Sequence, residues 1–474
     1  MIEHAPDWLS VLPPVLAIAL AIATRQVYVS LFLGIWAGTT ILADGDPLGG
    51  LADAIEACVQ VFGDAGNTRV IVFSAMIGAL IAITQYTGGV RGFIDAIGRR
   101  GLVRTPRRAM LLSWLIGLLV FVESSITSLV NGSVCRPLFD KLRISREKLA
   151  YLCDATAAPI CILIPLNAWG AYIAKTLSDQ GVEEPVGVLV DAIPFNFYAL
   201  LTVAFSLVFV VLLRRDYGPM KAAEKRVRET GELLRPGAEP VVATEVTSIE
   251  PEENTPRRAI NFLLPIAVMV VMMPVGLWIT GDGDLLKGSG STSVLWAVLA
   301  ATFVAAALGV AQRIVTTRQS IDLFFKGFGG LIPLALLMVF AFAIGAVTKQ
   351  LGTGVYVAQL ASGALSPAVV PALLFGIACF IAFSTGTSWG TFAIMLPIAI
   401  PIATTLNVPI ELAVGAVLGG GVFGDHCSPI SDTTIIASMA AGTDHIDHVN
   451  TQLPYALTVA GVSVAAYLIA GAVA

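Results

Sequence analysis

Hydrophobic positions in this chain fall in long, nearly unbroken runs separated by short polar loops. The runs lie near 9–24, 27–43, 68–86, 149–177, 188–213, 259–280, 292–312, 331–350, 410–440 and 453–472. About 20 apolar residues suffice for a helix to cross the hydrocarbon core, whereas a barrel strand needs only about 10 of alternating polarity. Helices satisfy every backbone N–H and C=O within the segment, as hydrocarbon demands. The pattern therefore predicts an all-α polytopic membrane protein with about ten transmembrane helices.

Two further apolar stretches, 107–142 and 367–406, behave differently. The first is interrupted by Glu123-Ser124-Ser125-Ile126-Thr127-Ser128, the second by Thr385-Gly386-Thr387-Ser388-Trp389-Gly390-Thr391. Each half of the first is about 16 residues, too short for a comfortable crossing. Both stretches are expected to be re-entrant hairpins, which are tolerated only where protein or a water-filled cavity surrounds them. Two runs are also expected to be broken in the middle: 149–177 at Asp154-Ala-Thr-Ala-Ala-Pro159, and 410–440 at Gly424-Asp425-His426-Cys427-Ser428-Pro429.

Composition sharpens the class. Of the 474 residues, 56% are hydrophobic and only 13% charged, with mean hydropathy +0.83. A soluble domain carries about 25% charged residues. A globular cytosolic enzyme, a coiled coil and a disordered chain are all excluded. The net charge of −5 offers no basic footprint for nucleic acid. The six cysteines show neither zinc-type spacing nor a disulfide framework. Neither a metal cofactor nor any other cofactor is expected.

Charge placement sets the topology. Arg104, Arg107 and Arg108 precede the first hairpin, and Lys141, Arg143, Arg146 and Lys148 follow it, so the positive-inside tendency puts both its ends in the cytoplasm. Arg25, Arg313 and Arg318 fall on the same side; Asp44, Asp46, Asp179, Glu183, Glu184, Asp282 and Asp284 mark the outer one. Met1 to Trp8 contains no Lys or Arg, so the first run is expected to be a retained span rather than a signal peptide. Residues 214–258 hold nine basic and nine acidic residues and five prolines. They are expected to form a cytoplasmic linker, with a short helix near 219–234, between membrane halves 1–213 and 259–474. The expected location is the cell (inner) membrane, multi-pass, with both termini outside.

The halves echo each other at an offset of 264 residues. Thr84 and Gly88 fall on Thr348 and Gly352, Glu123–Thr127 on Thr387–Thr391, Pro137 on Pro401, Leu142 on Leu406 and Glu147 on Glu411. After about six extra residues Asp154 and Pro159 meet Asp425 and Pro429. An odd number of crossings per half inverts the second copy. Inverted repeats whose discontinuous helices meet near the midplane are the architecture of secondary transporters.

Glu123, Asp154, Asp425 and Asp432 lie deep in apolar surroundings. A carboxylate at the bilayer centre costs at least about 2.5–3.5 kcal/mol and is a functional-site hypothesis by default. Burial favours its protonated form and a bound cation its ionised form. One group can therefore hold a proton or Na⁺ in turn, and competition couples the two flows. Thr387, Ser388, Thr391, Ser428 and Ser431 supply hydroxyl oxygens, as do Thr433 and Thr434, while Gly386 and Gly390 let a hairpin tip turn tightly. Asn167, Trp169 and Trp389 are candidates either for packing or for an organic-solute pocket. Asp444-His445-Ile446-Asp447-His448 reads as a solvated interfacial turn rather than a metal site or pH sensor.

The run Gly424-Asp425-His426-Cys427-Ser428-Pro429-Ile430-Ser431-Asp432-Thr433-Thr434, with Asp444–His448 and Thr451-Gln452-Leu453-Pro454-Tyr455, resembles the signature of the NhaC family of Na⁺/H⁺ antiporters. Thr385–Thr391 followed by Pro397 resembles it too. The resemblance covers nearly the whole membrane part. It implies the ion-transporter superfamily: a scaffold and a moving domain of two hairpins and two broken helices, usually a homodimer working by an elevator motion. It carries Asp425, Ser428, Ser431 and Asp432 over as the cation and proton site, with Asp425 and Asp432 as the Na⁺ ligands. The expected partners are Na⁺, protons and the lipid bilayer.

The leading expectation is Na⁺/H⁺ antiport. Since the family includes exchangers of organic acids, Na⁺- or H⁺-coupled movement of a small organic anion or amino acid stays open beside it. An intramembrane aspartyl protease would leave the hairpins and the repeat without a purpose. A channel would need charge rings or repeated subunits that the sequence lacks.

Overall fold

The computed structural model describes residues 5–24, 27–98, 104–121, 124–240, 255–285, 288–353, 355–356, 366–429 and 431–474. The described residues form helices and no strand. In the first half these are α1 (Leu12–Thr24), α2 (Val27–Leu42), α3 (Pro47–Gln60), α4 (Ala65–Tyr86), α5 (Gly89–Gly98), α6 (Pro106–Leu119), α7 (Ser124–Lys141), α8 (Arg146–Ala155), α9 (Ala158–Leu163), α10 (Ala168–Asp179), α11 (Pro185–Asp191) and α12 (Phe197–Phe205), which continues as a π-helical stretch, Ser206–Leu212. The linker contributes α13 (Gly218–Thr230). The second half holds α14 (Ile260–Thr280), α15 (Gly290–Ala311), α16 (Thr317–Gly330), α17 (Ile332–Gln350), α18 (Val370–Thr385), α19 (Ser388–Leu406), α20 (Ile410–Cys427), α21 (Asp432–Ala441) and α22 (His445–Val473).

Among the described residues, α4, α14, α15, α19 and α22 are long and apolar enough to cross a membrane. The outward faces of α14, α15 and α22 carry large apolar side chains: Trp278 is 58% exposed, Phe303 75% and Ile469 66%. A water-soluble protein rarely leaves such surface uncovered; in a polytopic membrane protein it faces lipid.

Among the described helices α3, α5 and α16 lie outside the apolar runs. α3 begins at Asp46, whose carboxylate accepts the Leu48 N–H, with Pro47 at the first helical position. α16 begins with a reciprocal capping box between Thr316 and Gln319. Both mix polar and apolar positions, so their start signals reveal them where continuous hydrophobicity does not. α16 crosses α4 where a Cβ on Gly78 would lie 2.1 Å from the Gly327 carbonyl oxygen. Small residues at such crossings let membrane helices approach closely.

α13 starts near the expected position and ends earlier, at Gly231, whose φ of +79° suits a left-handed cap. It lies against the start of α8. Lys148 Nζ is 2.7 Å from Asp216 Oδ2 and 3.1 Å from Glu224 Oε2, and all three side chains are nearly buried. Arg226 pairs with Glu147 at 2.8 Å, and Arg235 with Asp447 at 3.0 Å. The chain after α13 thus reaches the first turn of α22.

Candidate functional site

α20 ends at Cys427, Ser428 and Ser431 are extended, and α21 begins at Asp432. A helix end leaves carbonyls without partners. Here side chains supply them. The Asp425 carbonyl lies 3.1 Å from the Thr433 hydroxyl and 3.0 Å from that of Thr434. The His426 carbonyl accepts from the Gln452 amide, and the Pro429 carbonyl lies 2.7 Å from His445 Nε2. α18 packs on α20 so closely that a Cβ on Gly424 would meet the Phe383 nitrogen at 2.2 Å. That contact fixes the break against the end of α18, and Ser428 Oγ donates to the Phe383 carbonyl at 2.6 Å.

The Asp425 carboxylate, 2% exposed, sits inside this break. Ser388 Oγ, from the start of α19, donates to Oδ2 at 3.0 Å, and Ser431 Oγ donates to Oδ1 at 2.8 Å. Thr433 Oγ1 lies 3.3 Å from Oδ1 and 2.9 Å from Ser431 Oγ. Ser431 is the N-cap of α21 yet makes no capping bond to its own helix. A cap of this kind is usually worth about 1 kcal/mol, so its hydroxyl serves Asp425 instead. One carboxylate, hydroxyls from two elements and a nearby carbonyl make an all-oxygen set of the kind hard cations prefer.

Asp154 lies at the end of α8, fully buried and apart from this cluster. Gln452 Nε2 donates to its Oδ2 at 3.0 Å and also to the His426 carbonyl, so one side chain joins the two carboxylate environments. His448 Nε2 is 3.8 Å from the same Oδ2. Tyr198 OH contacts His426 Nδ1 at 2.8 Å, while His426 Nε2 has no hydrogen-bond partner among the described residues.

The other expected residues divide. Thr391 returns its hydroxyl to the Thr387 carbonyl at 2.9 Å, inside α19, and Thr387 makes no capping bond. Asn167 is a positioning residue. Its amide nitrogen donates to the Cys161 and Ile164 carbonyls at 2.7 and 3.0 Å and reaches the Phe121 carbonyl at 3.3 Å, while its oxygen caps α10. Trp169 meets Trp389 edge-on at 5.9 Å, and Tyr172 lies 5.3 Å from Trp389. These rings bring the start of α10 to the start of α19. Glu123 and the side chain of Asp432 lie outside the described residues.

Sequence reasoning missed Tyr198 and Ser438, whose partners are distant in the chain or unremarkable in type. It also missed Asn131 on α7, fully buried, with neither amide atom hydrogen-bonded among the described residues. Among the described residues no group of three or more His, Cys, Asp or Glu is placed to hold a metal ion.

Comparisons with known proteins bear on this arrangement. A model of the "Na+/H+ antiporter family" matches residues 8–184 and 180–472. An uncharacterised protein of Haemophilus influenzae is 33% identical over 99% of this chain and 92% of its own length. The arginine/ornithine antiporter ArcD of Halobacterium salinarum is 29% identical over 47% of this chain and 44% of its own. The crystal structure of the YdaH transporter of Alcanivorax borkumensis aligns with a TM-score of 0.58 over 89% of this chain and 88% of that one, at 13% identity. That last likeness concerns the fold alone.

Proposed function

Because this chain belongs to the Na⁺/H⁺ antiporter family, we propose that it is a secondary transporter that exchanges Na⁺ for H⁺ at the Asp425 carboxylate. The observation that carries this reading is the buried Asp425 held by Ser388 from one element and Ser431 from another. When Na⁺ is absent, the two hydroxyl hydrogens point at the carboxylate. When Na⁺ binds, the carboxylate and the hydroxyl lone pairs turn to the cation. A proton on Asp425 removes the charge the cation needs, so the two ligands exclude each other. The proposed set comprises Asp425, Ser388 and Ser431 with Thr433 close by; Asp432 and Glu123 remain proposed carboxylate members, and Ser428, Thr387 and Thr391 shape the surrounding backbone.

In the proposed topology 1–213 and 259–474 are inverted repeats joined by a cytoplasmic linker, 214–258. Local geometry supports this at the same 264-residue offset. The hydroxyls of Thr84 and Thr348 each turn back to the carbonyls four and three residues earlier. Gly88 and Gly352 are left-handed, with φ of +71° and +66°. Arg143 and Asn407 have φ of +53° and +56°, and each is followed by the same closing bond, Ile144 N–H to Phe139 and Val408 N–H to Ala403. On this reading α6–α7 and α18–α19 are the re-entrant hairpins, and α8–α10 and α20–α21 the broken helices. Hairpins and broken helices move as one body, in a homodimer of the cytoplasmic membrane, while the peripheral helices stay fixed. Moving one net charge costs about 2.3 kcal/mol per 100 mV, so a site that crosses only when loaded keeps the exchange coupled.

A second reading, exchange of a small organic solute, is favoured by one observation. A cavity of about 200 Å³ lined by Asn67, Tyr172, Asp179, Lys349 and Pro397 opens beside the Tyr172–Trp389 contact. It combines both charges with aromatic surface, as an amino acid requires, and the Halobacterium salinarum relative is named as an arginine/ornithine antiporter. Proteoliposomes decide between the two. The Na⁺/H⁺ reading expects an imposed Na⁺ gradient to move protons with no organic solute present. Proton movement only on addition of an amino acid or carboxylate overturns it in favour of the second.

A further inference from the structure

We propose that His445, Ser438 and His448 form a proton-binding chain that holds one exchangeable proton beside Asp154 and passes it between the α22 start and that carboxylate. The chain begins and ends on acceptors. His445 Nε2 faces the Pro429 carbonyl at 2.7 Å, and His445 Nδ1 faces Ser438 Oγ at 3.0 Å. Ser438 Oγ in turn faces His448 Nδ1 at 2.8 Å, and His448 Nε2 faces Gln452 Oε1 at 2.9 Å. The Gln452 amide cannot be turned round. Its nitrogen already serves two acceptors, Asp154 Oδ2 and the His426 carbonyl, so its oxygen must face His448.

Hydrogens can then be counted. Four contacts link Pro429 to Gln452. Two neutral imidazoles and one hydroxyl supply one hydrogen each, which makes three. With both rings neutral, one contact sets two lone pairs against each other. A second N–H on either ring completes the chain. The Thr434 carbonyl, 2.8 Å from Ser438 Oγ, competes for the hydroxyl hydrogen and deepens the shortage.

The surroundings suit a single positive charge. Asp154 on α8 is within ion-pair range of His448. His426 on α20 reaches the network through its carbonyl. Asp444 and Asp447 stand at the start of α22, with Arg235 on Asp447. Arg146, which reaches the Gly442 carbonyl, is matched by Asp140. His445 is half-buried and His448 wholly buried, so the chain runs inward from the protein surface.

Transfer balances at each member. The Nδ1–H bond of His445 breaks as an O–H forms on Ser438. The former Ser438 hydrogen forms an N–H on His448 Nδ1. When His448 Nε2 turns its hydrogen from Gln452 and closes the 3.8 Å to Asp154 Oδ2, that proton passes to the carboxylate, leaving each imidazole neutral.

The role in transport rests on the proton-coupled reading above; the bound proton itself does not. The test is nitrogen NMR of the full-length protein labelled in its four histidines, with each ring assigned by replacing one histidine at a time. At about pH 7, near the ordinary histidine range, one ring of the His445–His448 pair is expected to carry both protons. Ser438→Ala removes the central member and H445Q one of the rings; each is expected to abolish that doubly protonated signal. Two neutral rings in the unaltered protein overturn the chain, as does a doubly protonated ring indifferent to both substitutions. A neutral pair in protein that still exchanges Na⁺ for H⁺ overturns this inference alone. A charged pair in protein that exchanges nothing overturns the antiport reading and leaves the proton-binding chain standing.

Discussion

Replacing Asp425 by Asn is expected to abolish Na⁺-driven proton movement in proteoliposomes while leaving the protein folded and membrane-inserted. The amide keeps the carboxylate's shape and retains one oxygen for the Ser388 or Ser431 hydroxyl. Only the charge and the titrating group are lost. A unit charge 4 Å from a cation is worth about 4 kcal/mol at an effective dielectric of 20. At about 1.4 kcal/mol per decade that is about a thousandfold in Na⁺ affinity. Ser388→Ala removes one hydrogen bond to a charged group, worth about 1.5–3 kcal/mol, so its loss should be graded, about ten- to a hundredfold. If D425N exchanges normally, or fails only because it never reaches the membrane while S388A is silent, Asp425 is not the coupling group.

The second large effect concerns stability. Lys148→Met leaves Asp216 and Glu224 nearly buried without their shared ammonium, which stands 2.7 and 3.1 Å from them. Breaking a buried ion pair by removing one partner costs about 3–5 kcal/mol, so the detergent-solubilised variant should melt several degrees lower. Glu224 also sets a pH dependence. Burial opposes its ionisation, but the Lys148 ammonium and the Ser145 N–H outweigh that and hold its pKa below the ordinary carboxylate value. A depressed pKa contributes stability that is present above the ordinary value and lost as pH falls through the folded one. The gap in melting temperature between the unaltered protein and K148M should therefore narrow towards acid pH. Adding Glu224→Gln to K148M should restore part of the loss at neutral pH. A K148M protein that melts like the unaltered one would show that α13 is not held by this triad.

What the sequence disclosed depended on how locally each feature is encoded. Long apolar runs mark α4, α14, α15 and α22 because lipid imposes one continuous requirement on about 20 residues. α3 and α16 have no such run, and only their caps betray them. Asp425, Ser428 and Ser431 were legible as a group because they fall within seven residues of one helix break. The Ser388 partner was nameable but not placeable, since 37 residues separate it from Asp425. Ser428 lies in the same break, and only the fold shows that its hydroxyl reaches the end of α18 through the Phe383 carbonyl. In sequence Asn167 reads as packing or a solute contact; in the fold it caps α10 and ties it to Phe121. In sequence Asp444–His448 reads as a solvated turn, because only the fold brings His448 beside Asp154, far away in the chain. Gln452 lies within the Thr451–Tyr455 motif, but its bridge between Asp154 and His426 needs three helices at once.

The central claim is that Na⁺ and a proton compete for Asp425. Radioactive Na⁺ binding to the purified protein, with proton release followed by a pH indicator in the same sample, tests it most directly. The account predicts that each Na⁺ bound displaces a proton, that apparent affinity weakens about tenfold per pH unit on the acid side of the site's pKa, and that D425N neither binds nor releases. Na⁺ binding of unchanged affinity in D425N, or binding that releases no protons at any pH, would contradict it.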